Sequence, residues 1–239
     1  MVNTENIIEN ISQVIDISRK YNKKCYIHGG YVQDIMEGKL LRKHYNIKMF
    51  IEHMDRDIKY YIKLFNDKKY YVEYWEYTNI LHLKKDNVRI TLTPIIFQEY
   101  TAIWKYLGEQ GIICFPIEWL DNEYRTFYNL NLYTSGINLE YCYRIMYKYM
   151  HPFCPKDKVE KYIKALNYFE EKLIENNIKP YDLFKYIWSY NPIHLKDGFK
   201  GYEPPVLVIG KDVAKNHHRV QKSALRITNG NCTPPCSGG

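Results

Sequence analysis

Residues 25–51, CYIHGGYVQDIMEGKLLRKHYNIKMFI, leave few folds open to this chain. Cys25 to His28 reads as a short strand, and Gly29-Gly30 as a turn where backbone can approach a neighbour closely. Tyr31 to Glu37 fits a short helix, with Gly38 placed to end it. Arg42, Lys43 and His44 form a basic connection. Asn46 to Ile51 reads as a second strand, and its period of two sets Asn46 and Lys48 on one face. Two strands joined through a helix imply an α/β fold.

The flanking sequence extends this pattern. Thr4 to Tyr21 reads as a helix with Ile7, Ile8, Ile11, Val14 and Ile15 at helical spacing. Asp55 to Phe65 reads as another. Tyr70–Tyr77, Ile80–Lys84 and Val88–Ile95 read as strands, and Asp86-Asn87 as the hairpin turn between the last two. A linker with Gly108 and Gly111 follows. Helices are then expected from Leu139 to Met150, from Pro155 to Leu173 and from Tyr181 to Tyr190. Residues 211–239 contain no Tyr, Trp or Phe, and are expected to be a flexible tail. The expected division is therefore a sheet domain over 1–107, a mainly helical lobe over 108–210 and a Cys-containing tail over 211–239.

The frame of residues 25–51 resembles the nucleotidyltransferase superfamily, most closely the lincosamide and aminoglycoside nucleotidyltransferases. Gly29, Gly30, Asp34, Gly38, Lys39, Arg42 and His44 stand where that family's strand, Gly-Gly turn, helix and Arg-x-His connection place them. The resemblance implies a mixed sheet with flanking helices, then a helical lobe. It also implies Asp-x-Asp on the second strand and a third aspartate on the strand over Val88–Ile95. Asn46, Lys48 and Thr91 occupy those three positions.

That replacement bears directly on chemistry. Nucleotidyl transfer relies on divalent metals to neutralise the phosphates and align the attack. Such hard cations take carboxylate oxygens. Three aspartates would carry −3 there, whereas Asn46, Lys48 and Thr91 carry +1. No metal is expected at that site, and magnesium only if other carboxylates such as Glu52, Asp55 or Asp34 rebuild it. Phosphate binding is a separate matter. Gly29, Gly30, Arg42, His44 and Lys48 are the candidates for holding a nucleotide or phosphate.

The leading expectation is a catalytically degenerate nucleotidyltransferase-fold protein, not an enzyme, that acts as a binding or scaffolding module. Two alternatives stay open. One is a carrier for a modified C-terminal peptide, with Cys232, Thr233, Cys236 and Ser237 as targets of a peptide-modifying enzyme. The other is an active transferase for an antibiotic or other small molecule.

The remaining composition narrows the setting. A net charge of +7 allows anionic partners, nucleic acid included, without demanding one. The start, MVNTENIIENISQ, lacks a signal-peptide pattern, and no apolar run is long enough to span a bilayer. A cytoplasmic protein with no membrane partner is expected. Cys25, Cys114, Cys142 and Cys154 lie among apolar or aromatic residues and read as free buried thiols.

Overall fold

A computed structural model describes residues 4–44, 46–76, 79–106, 111–150, 156–180, 183 and 188–190. The elements run α1 (Thr4–Arg19), β1 (Cys25–His28), α2 (Gly30–Met36), β2 (Ile47–Glu52), α3 (Ile58–Asp67), β3 (Tyr71–Trp75), β4 (Ile80–Lys85), β5 (Val88–Gln98), β6 (Thr101–Tyr106) and β7 (Gly111–Pro116). Then come β8 (Arg125–Phe127), β9 (Leu130–Thr134), α4 (Ile137–Met150), α5 (Lys156–Glu175) and β10 (Trp188–Tyr190). This is the α/β architecture with a mixed sheet and flanking helices that the sequence implies.

The strands form one sheet in the order β10-β7-β6-β5-β2-β1-β9-β8, with β4 on β5 and β3 on β4. Central β2 pairs antiparallel with β1 and parallel with β5, and Met49, Phe50 and Ile51 within it are fully buried. β5 is long because it serves two partners on one edge. Val88–Leu92 pairs with β4, and Ile95–Gln98 pairs with β6. Pro94 falls between these two pairings. A proline has no N–H for a ladder, and a break in the ladder is where a strand tolerates one.

Each face of the sheet has its own apolar layer. Ile11 and Val14 of α1, Tyr31 and Ile35 of α2, and Tyr61 and Phe65 of α3 pack with Ile27, Met49 and Leu92. On the other face, Leu139 and Cys142 of α4 and Leu166 and Phe169 of α5 pack with Phe50, Ile95, Trp104 and Phe115. Among the described residues the second layer includes no side chain of β3 or β4, and the polar residues gather at that end of its face.

Several expectations change. Gly111 of the expected linker opens β7 instead, which pairs with β6, Thr101 opposite Pro116 and Tyr106 opposite Gly111, while Gly108 lies outside the described residues. The sheet therefore continues past residue 107, and β8 and β9 join it ahead of α4. A helix over Tyr181–Tyr190 is not formed at its end. Trp188–Tyr190 is a strand antiparallel to Ile112–Cys114. A helix there would leave the outer edge of β7 without backbone partners, and the extended run satisfies it. Residues 211–239, with Cys232, Thr233, Cys236 and Ser237, and also Cys154, lie outside the described residues. Among the described residues no helix is long and apolar enough to cross a membrane.

Candidate functional site

The alternation of side chains in five neighbouring strands builds a polar row across the face of the second layer. Glu73 of β3 lies opposite His82 of β4, and His82 opposite Thr91 of β5. Thr91 lies beside Lys48 of β2, and Lys48 opposite His28 of β1. Asn46, just ahead of β2, donates its side-chain amide to Thr91 Oγ1 at 2.7 Å, and His82 Nδ1 lies 3.0 Å from the same oxygen. Asn46, Lys48 and Thr91 thus come together as the strand assignment requires. Asn46 and Thr91 line the inner end of a trough of about 420 Å³ whose far side carries Glu73, Trp75 and His82.

His28, at the inner end of the row, is enclosed. Its ring stacks on Phe50 at 3.8 Å and meets the Trp104 ring edge-on at 5.1 Å. Its Nε2 is buried with no hydrogen-bond partner among the described residues. Burial, then the charges of Lys48 and Arg144, hold its pKa well below 6.5, so the ring is neutral. Burial likewise lowers His82, against an upward pull from Glu73.

The Gly-Gly turn is held from behind by α4. Glu140 accepts a hydrogen bond from the Gly29 amide at 2.7 Å, and also from Ser135 Oγ and Arg144 Nη1. Arg144 Nη2 donates to the Gly29 carbonyl at 3.0 Å. Both side chains are almost fully buried, at 2% and 3% exposure, so the ion pair is enclosed together with its hydrogen-bond partners. Gly29 itself has φ 82°, a conformation that glycine adopts without cost. Gly30 is small for a different reason. A β-carbon there would lie 2.9 Å from His44 Nδ1 and 3.1 Å from Arg42 Nη2.

Three solved structures share this architecture. The antibiotic-resistance factor ANT(2'')-Ia in solution aligns over 92% of this chain and 100% of its own, with 14% identity and a TM-score of 0.55. ANT(2'')-Ia in complex with adenylyl-2''-tobramycin aligns over 70% and 92%, with 14% identity and a TM-score of 0.52. The lincosamide antibiotic adenylyltransferase LnuA, lincomycin-bound, aligns over 66% and 95%, with 15% identity and a TM-score of 0.50. The fold is a nucleotidyltransferase fold. No protein-family model matches the sequence, and no curated protein matches it.

Within this nucleotidyltransferase fold the binding candidates stand together. Lys48 Cδ would be 3.6 Å from a β-carbon on Gly29. Its Nζ is 5.8 Å from the centre of the Tyr143 ring. Arg42 and His44 crowd the Gly30 side. The Gly-Gly turn is thereby ringed by Lys48, Arg42 and Arg144, with the Gly29 amide engaged by Glu140.

Two of the spare carboxylates, Asp34 and Glu52, are committed elsewhere. Asp34 is fully buried, and its Oδ2 lies 2.7 Å from His44 Nε2. Glu52 accepts from the Tyr26 hydroxyl at 2.8 Å and from the Lys24 amide at 3.3 Å. It therefore does not pair with Lys48 as parity alone would allow, since Phe50 stands between them and four residues of strand span about 13 Å. Asp55 lies beyond β2 in a single 3-10 turn, Met54–Asp57. Among the described residues no three His, Cys, Asp or Glu side chains cluster so as to hold a metal.

Sequence reasoning did not single out His82, Glu140 or Arg144. His82 was legible in principle, because a two-residue turn at Asp86-Asn87 places residue 82 opposite residue 91. Glu140 had no such signal, since its contact with Gly29 spans 111 residues of chain.

Proposed function

We propose that this chain uses the nucleotidyltransferase fold as a binding or scaffolding module for an anionic ligand, a nucleotide or phosphate, and does not transfer nucleotidyl groups. The observation that carries the reading is the Asn46–Thr91 hydrogen bond with Lys48 beside it, in the three places where the resemblance expects carboxylates. The Asn46 amide nitrogen is spent on Thr91 Oγ1, so the pair offers a neutral amide oxygen and a hydroxyl where carboxylates would hold a cation, and the Lys48 ammonium would repel one. The same ammonium, with Arg42 across the Gly-Gly turn, favours an anion.

Two measurements test the reading. Calorimetry with each nucleoside triphosphate should show binding that does not depend on magnesium and that Lys48→Ala weakens without lowering the melting temperature. Product formation should be absent with lincosamides and aminoglycosides in the presence of magnesium or manganese. Turnover that disappears on substitution of Glu52, Asp55 or Asp34 would establish the active transferase instead.

A further inference from the structure

The β3–β4–β5 end of the sheet carries a second feature, one row outward from Thr91. Lys84 of β4 and Arg89 of β5 lie directly opposite each other, and both are exposed. Like charges across an antiparallel pair are destabilising. Tyr71 of edge strand β3 lies opposite Lys84 and continues the row outward. Tyr71 is 69% exposed, and Trp75, on the same face of β3 four positions on, is 47% exposed. The Trp75 ring is braced rather than loose. Its Nε1 donates to Glu73 at 2.8 Å, and it meets the His82 ring edge-on at 4.5 Å. Residues four apart on a strand stand about 13 Å apart, so the edge offers two separate aromatic platforms in line, with Glu73 between them.

These residues line two clefts that adjoin at Asn46 and Arg89. The trough with Tyr71, Trp75 and Lys84 shares Asn46 and Arg89 with a second cleft of about 270 Å³, which continues to Lys43 and Asn87. Along them lie three permanent cations, Lys43, Lys84 and Arg89, and one carboxylate, Glu73.

We propose that this groove binds a single strand of nucleic acid, with its phosphates on the Lys84–Arg89 pair and Lys43 and its bases stacked on Tyr71 and Trp75. A bound phosphate relieves the repulsion between Lys84 and Arg89, and base faces cover the exposed rings. Stacking on aromatics above a basic track is how single strands are held without sequence readout. An acidic peptide would answer the cations but give the two rings no role. A duplex keeps its base faces hidden. A flat lipid surface would not follow a concave groove. The proposal is separate from the anion site at Gly29-Gly30, because Lys48 lies on β2, inward of this row.

The test is fluorescence anisotropy of short labelled oligo(U) and oligo(dT), with a duplex, an acidic peptide and anionic vesicles as controls. Both single strands should bind, and preference between them would name the physiological source. The slope of log affinity against log salt should be about −2, as expected for three phosphate contacts. Trp75→Ala should weaken binding roughly 5- to 150-fold, the range for loss of one stacked base. Arg89→Glu should weaken it on the order of tenfold while leaving the melting temperature unchanged or higher, since it sets an opposite charge across from Lys84. That opposite movement of affinity and stability excludes misfolding as the cause. Lys48→Ala should leave strand binding intact. Binding that survives Arg89→Glu and Trp75→Ala, or that is matched by the duplex, the peptide or the vesicles, would overturn the proposal.

Discussion

At the scale of single residues, the buried Glu140–Arg144 pair has the most to lose. Glu140 serves the Gly29 amide, Ser135 and Arg144 at once. Glu140→Ala would leave the guanidinium enclosed with no counter-charge, and breaking a buried pair from one side costs about 3–5 kcal/mol. Urea denaturation should show that loss. His28 gives a pH signature. Its pKa is lowered in the folded protein by burial, then by Lys48 and Arg144, from the usual 6.5. Below pH 6.5 the unfolded chain takes up a proton that the folded chain refuses. The stability His28 contributes is thus full above 6.5 and is lost as pH falls toward the folded pKa, by at most about 1.4 kcal/mol per pH unit. His28→Phe, which keeps the stack on Phe50, should make the fall of stability below pH 6.5 shallower. His53 and His82, both lowered by burial, sustain the slope that remains.

At the scale of elements, two turns decide how strands meet. The β4–β5 hairpin turns through Asp86 and Asn87 with φ of 49° and 61°, the left-handed pair of a two-residue turn whose twist matches the strands it joins. That turn sets the register that brings His82 to Thr91 and Lys84 to Arg89. Asn tolerates the left-handed region better than Ala, and Gly better still. Thermal melts should therefore rank Asn87→Gly at or above the parent and Asn87→Ala below it by about 1 kcal/mol. The other turn is Gly29-Gly30, pressed between α4 and the basic connection. His44 cannot easily give way, since Asp34 holds its Nε2 and the Tyr31 ring lies 4.2 Å from its own. Gly30→Ala should cost about 1–3 kcal/mol through the overpacking of that contact. Unchanged stability would show that the connection moves freely.

At the scale of the whole molecule, the sheet brings residues 46, 48 and 91 together from β2, its preceding residue and β5. The combined substitution Asn46→Asp, Lys48→Asp and Thr91→Asp should therefore create a cation site. Without metal the three carboxylates would repel one another and lower the melting temperature. Magnesium or manganese should restore it in the variant and leave the parent unchanged, which a melting titration would read. Much of this design was legible in the chain itself. The period of two placed Asn46 and Lys48 on one face, the glycine pair marked the turn, and Asp86-Asn87 marked the hairpin. These are local matters, set by backbone geometry and side-chain alternation over a few residues. What the fold alone decided is non-local. Residues 101–106 and 111–116 became strands because the edge of β5 beyond Leu92 needed a partner, and residues 188–190 extended because β7 did. Glu52 turned to Tyr26, and Glu140 to Gly29, because packing chose which polar groups share an enclosed space. No sequence period encodes that choice, since backbone and buried polar groups take their partners from whatever the rest of the chain brings within reach.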